Sequence, residues 1–279
     1  MINRKQSAVI GLVVVLMGLL LSLDIKGLVK ENEQGAAGAA TEASAGAPLT
    51  IESASITAKQ KLDANLAKPI TDLENELKSA PVEKKLQIQK QLAQHWDDVN
   101  QPVPSALYYE QVGQVENTYK IWLKAGDLFA AGFQNTQDTV IGPQLTHKAK
   151  DAYENALKLQ PESLEAKTGL GVALVSGTNP MEGIQLLLSV VKEDPKNLKA
   201  NLNLGLFSMK SGQFDKAVGR FKTVVEQNPN PEAFFYLASS YENLGMKQEA
   251  IAAYEKCKEL APDPRLTQFI DRKVQELNK

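Results

Sequence analysis

The sequence predicts an all-α fold, a solenoid of stacked helix-turn-helix units behind an N-terminal transmembrane helix. Three observations predict the stack. Residues 164–264 repeat themselves as 164–197, 198–230 and 231–264, with periods of 34, 33 and 34 residues. Small residues recur at the eighth position of each unit (Gly171, Gly205, Ala238) and at the twentieth (Gly183, Ala217, Ala250). Each unit then runs into a proline: Pro195, Pro229, Pro262. Small side chains let two antiparallel helices approach closely, because interaxial distance follows the size of the contact residues. Larger residues at the seventh position (Leu170, Leu204, Leu237) and the twenty-fourth (Leu187, Phe221, Tyr254) fill the space between helix pairs. Proline cannot continue a helix, so it marks the unit boundary. Mid-unit turns are expected at Ser211 and Gly212, at Leu244 and Gly245, and across residues 176–180.

This pattern resembles the tetratricopeptide repeat, which runs W-x2-L-G-x2-Y, then A-x3-F, then P. The second unit matches at Leu204, Gly205, Ala217, Phe221 and Pro229, and the third at Phe234, Leu237, Ala238, Tyr241, Ala250, Tyr254 and Pro262. Departures are Lys167 and Asn201 at the bulky first position, and Gly183 in place of the usual alanine. The resemblance implies a right-handed superhelix. An earlier copy occupies residues 119–163. Trp122, Ala125, Gly126 and Phe129 form its first helix, and Ala149, Tyr153, Ala156 and Pro161 its second. Between Gly126 and Ala149 lie 11 more residues than in the other units. Two readings fit: longer helices with a wider turn, or a partner-contacting loop, since insertions in repeat arrays map to loops.

From the N-terminus, residues 7–23 carry no charge and are just long enough to cross a bilayer core. Arg4 and Lys5 precede them, so the positive-inside bias expects a cytoplasmic N-terminus and an extracytoplasmic repeat domain. Residues 1–26 form this signal-anchor, with a cleaved secretory signal as the rival reading. Residues 27–50 are rich in Gly, Ala and Ser and are expected to be a flexible linker. Residues 51–83 form a helical stem, with Ile56, Leu62, Leu66, Ile70, Leu73 and Leu77 on its apolar side and a break at Pro69. An amphipathic cap, a mobile spacer and a dimerising coiled coil are the open alternatives for it. The repeat domain, 84–279, begins with a degenerate pair at 84–118 turning at residues 100–104. It ends with a capping helix at 265–279 whose apolar face is Leu266, Phe269, Ile270, Val274 and Leu277. Solenoids need such atypical ends.

Composition narrows the function. Net charge is −2 and the pI about 5.9, so there is no basic footprint for nucleic acid. The single Cys257 occupies a packing position and excludes an intrachain disulfide. His95 and His147 lack metal-ligand spacing, so neither metal nor other cofactor is expected. Ser189 with Lys192, Tyr241 with Asn243, and Lys167-Thr168-Gly169 resemble motifs of serine penicillin-binding enzymes, but in scrambled order and inside repeat helices. No catalytic residues are assigned.

The resemblance implies that positions two, five, six, nine and twelve of each unit line a concave groove. In this chain they are Glu165, Thr168, Val172 and Val175; then Lys199, Leu202, Asn203, Leu206 and Met209; then Glu232, Phe235, Tyr236, Ser239 and Glu242. A carboxylate clamp of the chaperone-binding kind is disfavoured, since only Lys199 and Asn203 fit it. Such a floor suits an extended or helical segment of a partner protein. Residues 51–79 covering it is the competing reading. The expectation is therefore a non-enzymatic, membrane-anchored scaffold for partner proteins. A self-associating membrane organiser using the 51–83 stem is the alternative, and the oligomeric state is open.

Overall fold

The four unit boundaries from residue 163 onward carry the same device. Ser163, Asn197 and Asn230 each accept a hydrogen bond from the backbone N–H three residues on, and Asp263 accepts two from Arg265 and Leu266. Such side chains satisfy N–H groups that a helix start leaves orphaned. The unit-ending prolines stand one or two residues before these caps. At the mid-unit turns Gly212 and Gly245 adopt φ of 74° and 73°, which glycine takes without a steric cost.

The computed structural model describes residues 48–279. Thirteen helices follow one another there: α1 (Ile51–Lys59), α2 (Ala64–Ser79), α3 (Val82–Asp98), α4 (Pro102–Glu116), α5 (Tyr119–Gln134), α6 (Ile141–Leu159), α7 (Leu164–Ser176), α8 (Pro180–Glu193), α9 (Leu198–Lys210), α10 (Phe214–Gln227), α11 (Pro231–Asn243), α12 (Lys247–Leu260) and α13 (Pro264–Leu277). No strand occurs among the described residues. From α2 onward each helix packs on the next, and α3 through α12 form five helix-turn-helix pairs closed by α13. The glycines lie at the tightest approaches. A Cβ on Gly205 would stand 2.6 Å from the Phe221 ring, and one on Gly126 2.7 Å from the Tyr153 ring.

The 11 extra residues of the 119–163 unit go into helix and turn. Its helices α5 and α6 have 16 and 19 residues, against 13 and 14 for α7 and α8. Asn201, standing where a bulky residue is usual, is buried and satisfied: its amide donates to the carbonyls of Pro195 and Asn197. Cys257 is buried and burial pushes its thiol up, in keeping with a packing role.

Three expectations need correction. The stem breaks at residues 60–63, where Asp63 caps α2 twice, and Pro69 lies inside that helix. The bond that Pro69 removes is the one to Asn65, near the well-capped start. The stem's buried apolar residues are Ala54, Ala58 and Ile70, while Ile56 and Leu66 face solvent. Alanine allows α1 to lie closer to α4 than isoleucine would, and α2 rests on α3. Lastly, α4 begins at Pro102, so Pro102 and Pro104 lie in its first turn, where a missing N–H has no partner to lose.

Candidate binding face

Helices α5, α7, α9 and α11 are the first helices of their units, and each packs on the next of this set as well as on its own pair. This aligns them side by side. Ala130 of α5, Val172 of α7 and Asn203 of α9 line one recess of about 170 Å³, with Phe133, Ala173 and Phe207 as apolar walls. Two of the expected groove residues, Val172 and Asn203, therefore meet at one site. Asn203 donates its amide to the Lys199 carbonyl.

A polar bridge crosses the same face. Lys199 Nζ of α9 lies 3.2 Å from Asp127 Oδ1 of α5, reaching past α7. The same carboxylate oxygen accepts the Tyr153 hydroxyl at 2.8 Å. Burial first, then the Asp127 charge, pushes the Tyr153 phenol well above its usual range, so it stays a neutral donor. The Lys199–Asp127 pair is half exposed and contributes at most about 1 kcal/mol. Its consequence is local: Asp127 engages the cation that a ligand carboxylate would need.

The other expected residues divide. Leu202, Leu206, Met209 and Tyr236 are half-buried and pack on the core formed by α10 to α12. Ser239 is half-buried, and Val175 packs beside Leu187. Glu165 and Glu232 are exposed, the latter accepting from the Tyr236 hydroxyl at 3.2 Å. Thr168 is a correction: it is buried, and its hydroxyl donates to the Leu164 carbonyl of its own helix. The adjacent Gly169 brings α7 hard against the Tyr153 ring, which withdraws Thr168 from the surface. Phe235 turns toward the chain end, its ring centroid 5.9 Å from those of Tyr254 and Phe269. It anchors α13 as much as it floors a groove.

Glu242 also serves α13. It accepts from Lys273 at 2.8 Å and from the Tyr254 hydroxyl at 2.7 Å. Burial opposes its ionisation, but these donors outweigh it and hold the carboxyl below its usual range. A carboxyl depressed by folding stabilises above its unfolded pKa, and that contribution is lost as pH falls through the folded value. Lys273, raised chiefly by its bond to Glu242, stabilises below its unfolded pKa and loses this as pH rises through the raised value. Acidification through and below the usual glutamate range is thus expected to loosen α13 by about 1 kcal/mol. Hydrogen exchange in α13 should show it, and Glu242→Gln should remove that part of the acid response. An unchanged acid response in the variant would disprove the coupling.

Asp127, Ala130, Phe133 and Phe207 were not expected at this face. Asp127 and Ala130 hold the ninth and twelfth positions of the 119–163 unit in the register set by Trp122 and Gly126, so that register was the available signal. Phe133 enters through the lengthened end of α5 and carried no signal. Among the described residues no three His, Cys, Asp or Glu cluster as metal ligands. No helix there is long and apolar enough to cross a membrane, and the expected span at 7–23 lies outside the described residues.

Stacked helix pairs presenting one lined face define an α-solenoid repeat protein. Residues 146–197 and 202–263 match the tetratricopeptide repeat family model. No curated protein matches the chain. Among solved structures, a tetratricopeptide repeat protein from Parabacteroides merdae is 16% identical, with 82% of this chain and 86% of that one covered and a TM-score of 0.55. YrrB, described as a TPR protein with an unusual peptide-binding site, is 19% identical over 75% of this chain and 98% of its own, with a TM-score of 0.47. MamA is 19% identical over 64% and 92%, with a TM-score of 0.49. At these identities the likeness is one of fold.

Proposed function

We propose that this chain is a non-enzymatic scaffold that holds a segment of a partner protein along α5, α7, α9 and α11. Residues 7–23 tether it to a membrane, with the repeat domain on the extracytoplasmic side. The observation that carries the reading is the recess shared by α5, α7 and α9. At about 170 Å³ it takes one phenyl- or leucine-sized side chain, comparable to cavities that hold benzene. A pocket of this kind is where a partner's apolar anchor concentrates its binding energy. Half-exposed Leu206 and Met209 extend the apolar floor along α9. The scaffold is favoured over an organiser assembled through residues 51–83, because Ala54, Ala58 and Ile70 are already used in packing within the chain.

Ser176 lines the recess from the exposed end of α7. Ser176→Trp should fill the opening while changing stability by no more than about 0.5 kcal/mol. Affinity capture from native membranes, read by mass spectrometry, should lose specific partners in this variant. Equal recovery by wild type and variant would remove the groove from the proposal. Release of the chain from membranes by a salt or carbonate wash would remove the tether.

A further inference from the structure

The second helices of the units are alike inward and unlike outward. At the eighteenth position they carry His147, Met181, Asp215 and Gln248, and at the twenty-fifth Glu154, Leu188, Lys222 and Glu255. Only α8 is apolar at both. Met181 is 68% exposed and Leu188 43%, with Ile184 between them on the same helical stripe. A surface helix normally turns charged or polar residues outward, so this stripe lacks a partner.

The stripe borders a recess of about 590 Å³, room for more than one side chain. Leu204 and Phe207 of α9 contribute apolar surface there, and Lys216, Gly219 and Arg220 of α10 supply another wall. A Cβ on Gly219 would meet nothing within 4 Å, so the α10 backbone is open to close approach. No Asp or Glu lines the recess. Lys216 donates to Gln213 and Arg220 to Asn201, both neutral acceptors. Neither cation has a carboxylate within ion-pair distance among the described residues. Partial burial of Arg220 disfavours its charged form and lowers its pKa.

We infer that the seam between α8 and α10 is a second docking site, which shares only Phe207 with the recess between α5, α7 and α9, for an acidic amphipathic segment of another protein. Two bulky apolar side chains of that segment lie against Ile184, Leu188 and the α9 surface. Its carboxylates face Lys216 and Arg220. Apolar anchors supply affinity, and the charges select partner and orientation.

The test uses the full chain in mild detergent and a fluorescein-labelled amphipathic helical peptide with leucines on one face and glutamates flanking them. A second peptide replaces every glutamate with lysine. Fluorescence anisotropy should show the glutamate peptide binding at least tenfold more tightly than the lysine peptide, and more weakly as salt is added. Leu188→Glu places at that position the residue its counterpart Glu255 already is, on an exposed site, and should weaken binding tenfold or more. Lys216→Glu, at an exposed position, should act in the same direction, while Ser176→Trp should have no effect. Equal binding of the two peptides, or full binding by Leu188→Glu and Lys216→Glu, overturns the proposal. Loss of binding in Ser176→Trp alone would place the peptide on the other face. Sedimentation showing a wild-type dimer that Leu188→Glu dissociates would give the seam to a second copy of the chain instead.

Discussion

Replacing Tyr153 by alanine is expected to destabilise the repeat domain by about 4 kcal/mol, the upper range for deleting a buried aromatic ring. The ring is 1% exposed and wedged between α5 and α7. Two glycines presuppose it: a Cβ on Gly126 would meet its Cε1 at 2.7 Å, and one on Gly169 would overlap the ring outright. Without the ring, neither helix has a side chain at the contact to close the void. The hydroxyl adds a bond to Asp127, so Tyr153→Phe should lose about 1 kcal/mol and Tyr153→Ala much more. A double-mutant cycle makes the packing claim sharp. Gly169→Ala should destabilise the wild type, yet in the Tyr153→Ala background it should be neutral or favourable by up to about 1 kcal/mol from helix preference. Equal costs of Gly169→Ala in both backgrounds, measured by denaturant melts, would show that the ring is not what the glycine accommodates.

Gly183→Ala is expected to lower stability by about 2 kcal/mol, although alanine is the residue that the other units carry there, as Ala149, Ala217 and Ala250. In α8 the new methyl group would run into the Gly171 carbonyl oxygen and stand 2.7 Å from Val175 Cγ2. A backbone atom cannot rotate away, so α7 and α8 must separate. Overpacking of this kind costs about 3 kcal/mol, and the helix preference of alanine offsets about 1. Stability in a repeat array is a sum of local terms. Hydrogen exchange should therefore place the loss in α7 and α8, leaving α11 to α13 as in the wild type. A variant as stable as the wild type would mean that the first unit is packed no more tightly than its neighbours.

Both effects follow from features legible in the amino-acid sequence. The period marked Gly171 with Gly183 as contact positions, and a Cβ on either would meet the other's carbonyl oxygen; it also marked Gly126, which faces the Tyr153 ring, but not Gly169, the tighter of that ring's two glycines. The same register placed Val172 and Asn203 on one face, and they share one recess. Thr168 and Phe235 obeyed the period and still left the groove, because a neighbouring glycine buried the first and the final helix took up the second. The stem packs through Ala54 and Ala58 in preference to Ile56. Hydrophobicity alone ranks these residues in the opposite order, since it carries no information on how near the next helix lies.

Local chemistry in the chain itself determined the helices, their ends and their pairing. Small residues, prolines and capping side chains act within one unit, so a window of about 34 residues contains their whole cause. The bridge from Lys199 to Asp127, 72 residues apart, is different in kind. So are the recess that α5, α7 and α9 share and the open seam beside Leu188. Each depends on how far one unit is turned and shifted against the next, a quantity set by the summed packing of many side chains. Tertiary structure alone decided those, and with them which surface is free to bind.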